Sequence, residues 1–546
     1  MTGATEPYHF ASQERPGFPG SPFTPSHPLP RSIGYGAIAV LAGIGSTLGN
    51  GLVNVNVANI AGDQGLFIAE ASVLPAVYVA FTASANLMLV KGRAQFGIPA
   101  ITQGLLLAYA CASLLQLWLP GLATAIVGRA VCGMTAGALI SYSVYAWMQA
   151  LLPGARPLAL LIGLGMPQLG NPLARLFPVE VLAMHHWQGL HLCELAIALV
   201  LLSVTLALPL PPSERSKAFE PLDLLTFALL LGGMLLVCLV MGEGRVLWWT
   251  ETPWLGIALT GSVPLFCAAM LIETARTNPL LRFEWIGSLG ILRFAAIALL
   301  VRFALAEQTY GAVGFLTSSG LYNDQLRDLF AIVSVAMVAG IVVGSLTLSQ
   351  ARLPWQVIFA ALIIALGAGL DSLSTDVTRP PQLYVSQALI GFGTTLFIGP
   401  AMLYGFIQMF QRGATHLVSF VVLFSVTQNL GGLFGSAVLG TYEVIAARIH
   451  TTTLSGHLLA ADPQVAARLR GGAIALSDVV TDPASQTGQG GGLLAQAMAR
   501  QANVLAYNDV FRLVAGLAVA TAVYVAWLLI LRSLRVQPSA STGAAA

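Results

Sequence analysis

The sequence predicts an all-α membrane protein: two bundles of six transmembrane helices with two further helices inserted between them. Three observations carry this. Of 546 residues, 56% are hydrophobic and only 9% charged, where soluble domains average about 45–50% and about 25%. The apolar residues fall in continuous runs of roughly 20, long enough to cross the hydrocarbon core as helices and unlike the alternation of a barrel strand. Two polar interruptions, after residue 210 and near 274–288, divide the runs into six, two and six. A soluble enzyme would need far more charge to cover its surface. A net charge of +2 leaves no footprint for a polyanion such as a nucleic acid. The mean hydropathy of +0.79 excludes disorder for most of the chain.

Residues 1–30 hold Pro7, Pro16, Pro19, Pro22, Pro25, Pro28 and Pro30 and no apolar core. They read as a disordered, proline-rich cytoplasmic tail rather than a signal peptide. The first bundle, 31–210, takes spans at 33–54, 69–90, 97–118, 121–148, 157–179 and 189–209. A linker, 211–288, carries the inserted pair at 222–241 and 254–273. The second bundle, 289–536, takes spans at 290–314, 328–349, 355–373, 382–408, 415–440 and 511–532, with a long periplasmic loop at 441–510. Residues 537–546 form a short cytoplasmic tail. Orientation follows the loops: Lys91, Arg93, Arg156, Arg215, Lys217 and Arg276 lie on one side, while short loops opposite hold Arg245, Arg327 and Arg379. Positive charge marks the inside, so both termini are cytoplasmic and the expected location is a bacterial inner membrane.

Cys111, Cys132, Cys193, Cys238 and Cys267 all fall in apolar runs, without CxxC or Cys/His spacing. No metal or cofactor is expected. Catalytic signatures such as HExxH, GxSxG and GxxxxGK[ST] do not occur, which argues against an enzyme and against ATP-driven transport within this chain.

Charge inside a bilayer costs about 2.5–3.5 kcal/mol on insertion scales and needs a reason. Arg129, Arg175, Glu194, Arg293, Arg302 and Glu307 fall within predicted spans. Arg129 shares a face with Gly133 and Gly137, a small-xxx-small pair. It reads either as a cation facing a cavity or as a structural Arg bonded to a neighbouring helix. Glu307 is about 140° around the helix from Arg302, so its partner must come from another helix, from water or from a proton. It is the first candidate proton carrier, and Glu194 the second. Thr47, Asn50 and Asn54 line one helix face, and Gln168, Asn171 and Gln428 punctuate other spans. Such residues line a cavity or bond helices together. Tyr142, Trp147, Tyr310 and Phe315 are candidate lining aromatics by position in their spans. Gly163, Gly165, Pro167 and Gly170 make the fifth span a candidate hinge, or an ordinary kinked helix.

Several stretches resemble the major facilitator superfamily, in particular its fourteen-span drug/proton antiporters, which include the inner-membrane pumps of tripartite efflux systems. Asn54-Val-Asn-Val-Ala-Asn-Ile-Ala-Gly-Asp63 resembles the family's first-span ending, and Arg129-Ala-Val-Cys-Gly133 its fourth-span arginine motif. Gly163 to Asn171 resembles the fifth-span antiporter motif, Gln428-Asn-Leu-Gly-Gly432 the thirteenth span, and Gln501 to Phe511 the entry to the last. The sequence departs at three places. The family's first-span acid falls at Gly49, the loop Lys91-Gly-Arg93 lacks the usual Asp, and Cys132 replaces a common Gln. The resemblance implies proton-driven efflux of small amphipathic or aromatic compounds; with the first-span acid absent, the intramembrane charges Glu307, Arg129, Glu194 and Arg302 are the candidates for coupling and transport. It further implies Lys91 and Arg93 in a cytoplasmic gating loop, and a periplasmic membrane-fusion adaptor with an outer-membrane channel as partners. Other readings are a dedicated exporter of an organic anion or siderophore, favoured by Arg129 and Arg302, and a membrane sensor or scaffold that transports nothing.

Overall fold

Long apolar runs ended by Pro, Gly and polar residues fix most helix boundaries. The structure, a computed structural model, describes residues 11, 14, 20–410, 417–459, 462–475 and 481–536. Most of the two expected tails, 1–10, 12–13, 15–19 and 537–546, lies outside the described residues. Helices α1 (Leu29–Asp63), α2 (Ile68–Phe96), α3 (Ile98–Trp118) and α4 (Leu122–Ala150) follow one another through short turns. Gly97 ends α2 and begins α3 with φ +84°, a value that a side chain would strain. The fifth expected span is interrupted: α5 (Arg156–Gly165), a 3-10 turn over Met166–Leu169, then α6 (Gly170–Ala174). Pro167 and Pro172 remove backbone donors there. A single turn, α7 (Val179–Leu182), precedes α8 (Met184–Ala207). The inserted pair is α9 (Pro221–Glu243) and α10 (Pro253–Thr274).

After α11 (Phe283–Ile286) the ninth expected span is also interrupted, as α12 (Leu289–Ala304), a π-helical segment Glu307–Gly311 and α13 (Ala312–Ser318). Then come α14 (Arg327–Leu346), α15 (Leu353–Asp371), α16 (Tyr384–Phe410), α17 (Leu417–Gly456), α18 (Pro463–Ala475) and α19 (Pro483–Val536). Among the described residues, 12 helices are long and apolar enough to cross a membrane. The fifth and ninth of the helix-length stretches read from the sequence are the broken ones.

Helices α1–α8 form one lobe. Tyr35, Leu106, Leu139 and Tyr142 form part of its core. Helices α12–α19 form the second, with Phe397, Phe420 and Ile364 at its centre. Of the inserted pair, α9 packs on α2 and also meets α17 of the other lobe, while α10 packs on α9. Between the lobes, α5 lies on α14 and α16. The close approach is made by glycine: a Cβ at Gly165 would meet Ile341 of α14 at 2.8 Å, and one at Gly163 would meet Val144 of α4 at 2.7 Å.

Two expectations change. Residues 20–28, placed in the disordered tail, form an extended strap under the first lobe. Ser21 and Thr24 are buried; Phe23 N–H donates to the Pro212 carbonyl at 3.0 Å and Gln149 Nε2 to the Phe23 carbonyl at 2.9 Å. The segment 441–510, expected as a long periplasmic loop, is largely helical among its described residues. Helix α17 has 40 residues and α19 has 54, roughly 60 and 80 Å at 1.5 Å per residue, against a hydrocarbon core of about 30 Å. Runs such as Glu443-Val-Ile-Ala-Ala-Arg448 and Leu493-Leu-Ala-Gln-Ala-Met-Ala-Arg500 are strong helix formers, so the spans continue past the bilayer instead of fraying. His450 Nε2 and Asp509 Oδ2, 2.7 Å apart, tie the two extensions together.

Candidate functional site: a cavity between the lobes

A cavity of about 570 Å³ lies between the two lobes. Its polar lining comes from both. Helix α1 presents Thr47, Asn50 and Asn54; the interrupted fifth segment presents Gln168 and Asn171; the second lobe presents Arg302 on α12 and Gln428 and Asn429 on α17. Its apolar lining includes Leu160 and Leu164 of α5, Ile398, Met402 and Phe406 of α16, and Phe424 of α17. Three arginines, Arg93, Arg245 and Arg302, reach the lining, and no Asp or Glu does among the described residues. Asn50 Oδ1, Asn171 Oδ1 and Gln428 Oε1 are buried acceptors without a protein donor. Near the C-terminal end of α1 the lobes are tied together. Asn323 Nδ2 donates to the Val55 carbonyl at 3.0 Å and to Asn56 Oδ1 at 3.2 Å, while Arg175 donates to Asn323 Oδ1 at 2.5 Å.

Of the residues chosen from sequence for the cavity, Asn50, Asn54, Gln168, Asn171 and Gln428 line it, whereas the four aromatics do not: Trp147 packs on the core of the first lobe and Phe315 is buried in another cluster. Tyr142 is buried inside the first lobe against α1. Tyr310 points away from the cavity, where Arg245 lies 5.3 Å from its ring and its hydroxyl donates to Glu443 Oε2 at 3.4 Å. Helical position alone gave them no direction; the two tyrosines turn to aromatic or charged neighbours of their own. At the interruption, Thr47 Oγ1 donates to the Pro167 carbonyl at 2.6 Å, and Gly170 abuts the α1 backbone at Leu48 N, 2.8 Å from where a Cβ would stand.

Arg129 does not face the cavity. It is 1% exposed and ion-paired to Glu194 of α8 within the first lobe. Tyr109 donates to Glu194 Oε1 at 3.1 Å, and His191 Nδ1 stands 3.2 Å from Oε2. Glu194 is therefore the counter-ion of Arg129, not a separate acid. A Cβ on Gly49 would stand 3.7 Å from Glu194 Oε1, so α8 supplies a carboxylate beside the α1 position where the family resemblance expects one.

Glu307 finds its partners on two other helices. Gln387 Nε2 donates to Glu307 Oε1 at 3.1 Å and to Asp371 Oδ2 at 2.6 Å. All three are fully buried, and no cation pairs with either carboxyl among the described residues. Glu307 opens the π-helical segment, an irregularity common at functional sites. Asp371 and Gln387 escaped the sequence reading. The available signal was a carboxylate in the last turn of an apolar run.

Lys91 and Arg93 separate. Lys91 Nζ bonds Asp223 Oδ1 of α9 at 2.9 Å and the Asn278 carbonyl at 3.0 Å. The carboxylate missing from its own loop thus comes from the inserted pair. Arg276 joins the cluster, bonding Glu220 and Asp223 at 2.7 Å each and Glu273 at 2.8 Å. Burial works to lower the Arg276 guanidinium, but these three carboxylates raise it overall. Arg276 and Asn278 in turn hold the Glu220 carboxyl below its ordinary value. Arg93 instead donates to the Tyr145 hydroxyl at 2.6 Å, and both line the cavity. The Arg293 side chain lies outside the described residues.

No protein-family model matches the chain. A triacylglyceride transporter of Mycolicibacterium smegmatis is 26% identical over 507 residues, covering 88% of this chain and 84% of that protein. A bacterial homologue of the human drug peptide transporters PepT1 and PepT2 superposes with a TM-score of 0.54 at 12% identity, covering 92% of this chain and 99% of its own. A structure from the proton-dependent oligopeptide transporters superposes at 0.51 and 13% identity, with 92% and 99% covered. With 12 apolar helices and no strand among the described residues, these likenesses show that the chain has a major-facilitator-type fold.

Proposed function

We propose that the protein is a secondary transporter that exports small amphipathic or aromatic compounds across a bacterial inner membrane in exchange for protons. The observation that carries this reading is the cavity itself, lined by both polar and apolar side chains and built from both lobes beside the 3-10 turn that follows α5. A site shared by two lobes is exposed to alternate sides when they rock. The relative named as a triacylglyceride transporter supports the lipid-like end of that substrate range.

The Glu307–Gln387–Asp371 cluster supports proton coupling. Two buried carboxyls bridged by one amide are a natural place to hold a proton between them, because two like charges at that separation repel strongly. Both termini are read as cytoplasmic, and the paired extensions of α17 and α19 as the surface for a periplasmic membrane-fusion adaptor leading to an outer-membrane channel. The test is transport in proteoliposomes under an imposed pH gradient, with a panel of fluorescent amphiphiles. Gradient-driven movement lost in Glu307→Gln is expected. Movement indifferent to both gradient and substitution would overturn the coupling.

A further inference from the structure

We infer that the middle of the cavity is a binding site for the anionic head of a single-chain amphiphile, with Arg302 as its counter-ion. This rests on the transport reading above and narrows its substrate class.

The argument begins with an unbalanced charge. Arg302 lies near the centre of the broken ninth segment. Its two protein bonds go to neutral oxygens: Nε donates to the Gln428 carbonyl at 2.9 Å, and one terminal nitrogen to Gln168 Oε1 at 3.5 Å. Among the described residues no carboxylate lies within 4 Å of it. The other two arginines on the lining, Arg93 and Arg245, come from segments between predicted spans, where Arg93 donates to the Tyr145 hydroxyl and Arg245 lies over the Tyr310 ring; Arg302 is the one that sits within a predicted span. A guanidinium in the middle of a membrane protein without a counter-ion is costly. An anion arriving with the cargo would remove that cost.

The seat for the side chain is built. Helix α17 presents Gly431 and Gly432 to it. A Cβ at Gly431 would stand 3.1 Å from Arg302 Cγ, and one at Gly432 would stand 3.2 Å from Nε. The two glycines let the arginine lie flat along α17 with its head held at the cavity surface. The same lining carries Asn50, Asn171 and Gln428, whose side-chain oxygens lack a donor among the described residues. A turn of these amides toward hydroxyls or water on a polar head would satisfy them. Ile398, Met402, Phe406 and Phe424 of the same lining offer apolar surface for a tail. The volume of about 570 Å³ falls in the range of about 300–1,000 Å³ that holds one drug-sized ligand.

The experiment measures binding of radiolabelled dodecyl phosphate, dodecanoate, dodecanol and dodecyltrimethylammonium to the full-length protein in nanodiscs. The wild type should hold at least one of the two anions tenfold or more tighter than dodecanol, and the cation weaker than dodecanol. Which anion wins identifies the head as phosphate or carboxylate. Arg302→Gln should bring the anions to the level of dodecanol and leave dodecanol unchanged, which also shows that the variant is folded. Arg302→Lys should keep a preference for anions. Equal binding of all four probes, or an anion preference intact in Arg302→Gln, overturns the inference and leaves the transport reading standing. Failure of every probe, dodecanol included, to bind would bring down the reading on which it rests.

Discussion

Arg129 and Glu194 show how one residue's chemistry sets another's role. Alone, either is an intramembrane charge that invites a functional assignment. Together they neutralise each other inside the first lobe, 1% and 0% exposed. Removing one partner leaves a buried charge, which costs about 3–5 kcal/mol, while replacing both with apolar residues is often tolerated. Glu194→Gln is therefore expected to lower the thermal unfolding temperature sharply in nanodiscs, and Arg129→Met with Glu194→Met to recover most of it. Equal losses in the single and double variants would contradict the pairing. Asp371→Asn should cut gradient-driven transport at least tenfold, as Glu307→Gln does, since the two share Gln387. Exchange down a substrate gradient should persist. At this scale the sequence was informative about residue type and poor about direction. It singled out Asn50, Asn54, Gln168, Asn171 and Gln428, which line the cavity, because polar residues in apolar runs are conspicuous. It could not tell that Arg129 turns inward or that Tyr310 turns away from the cavity, because both facts depend on which helix stands opposite.

At the scale of the helix, the two broken segments differ in cause. The fifth is broken by proline and glycine and could be read directly from Gly163 to Pro172. The ninth carries no proline in Leu289–Ser318, and its π-helical segment at Glu307–Gly311 follows from packing that local sequence does not record. The α5–α14 contact depends on Gly165 lying against Ile341. Gly165→Leu is expected to insert and fold but to transport at a small fraction of the wild-type rate, measured by uptake at matched protein levels, because overpacking here wedges one lobe from the other. Undiminished uptake would show that the contact does not move in transport. The ends of α17 and α19 were missed for a simple reason. Hydropathy marks where a span leaves the bilayer, not where its helix stops, and helix-forming residues carry both well beyond.

For the whole molecule, composition and loop charge made the architecture legible: two lobes, an inserted pair, and polar linkers between. What they could not convey was how the inserted pair is held. Lys91, Asp223, Arg276, Glu220 and Glu273 clamp α9 and α10 to the end of α2. The Glu220 carboxyl is depressed by Arg276 and Asn278. A depressed carboxyl stabilises the fold above its unfolded value and loses that contribution as pH falls through the folded one. The unfolding temperature of the wild type should thus decline as pH drops below the ordinary carboxyl value of 4.5, and Glu220→Gln should show a shallower decline. Parallel curves would remove Glu220 from the clamp.

The same pair sets a geometric rule for solutes that live in the lipid. Where two lobes meet, a membrane carrier has two flanks open to the acyl chains, one on each side of the interface. Here α9, lying against both α2 and α17, walls off one of them. The other flank is the seam where α5 lies directly on α14 and α16. The two flanks are therefore built differently: a hydrophobic molecule in the leaflet meets an added helix on one side and bare lobe-to-lobe contact on the other.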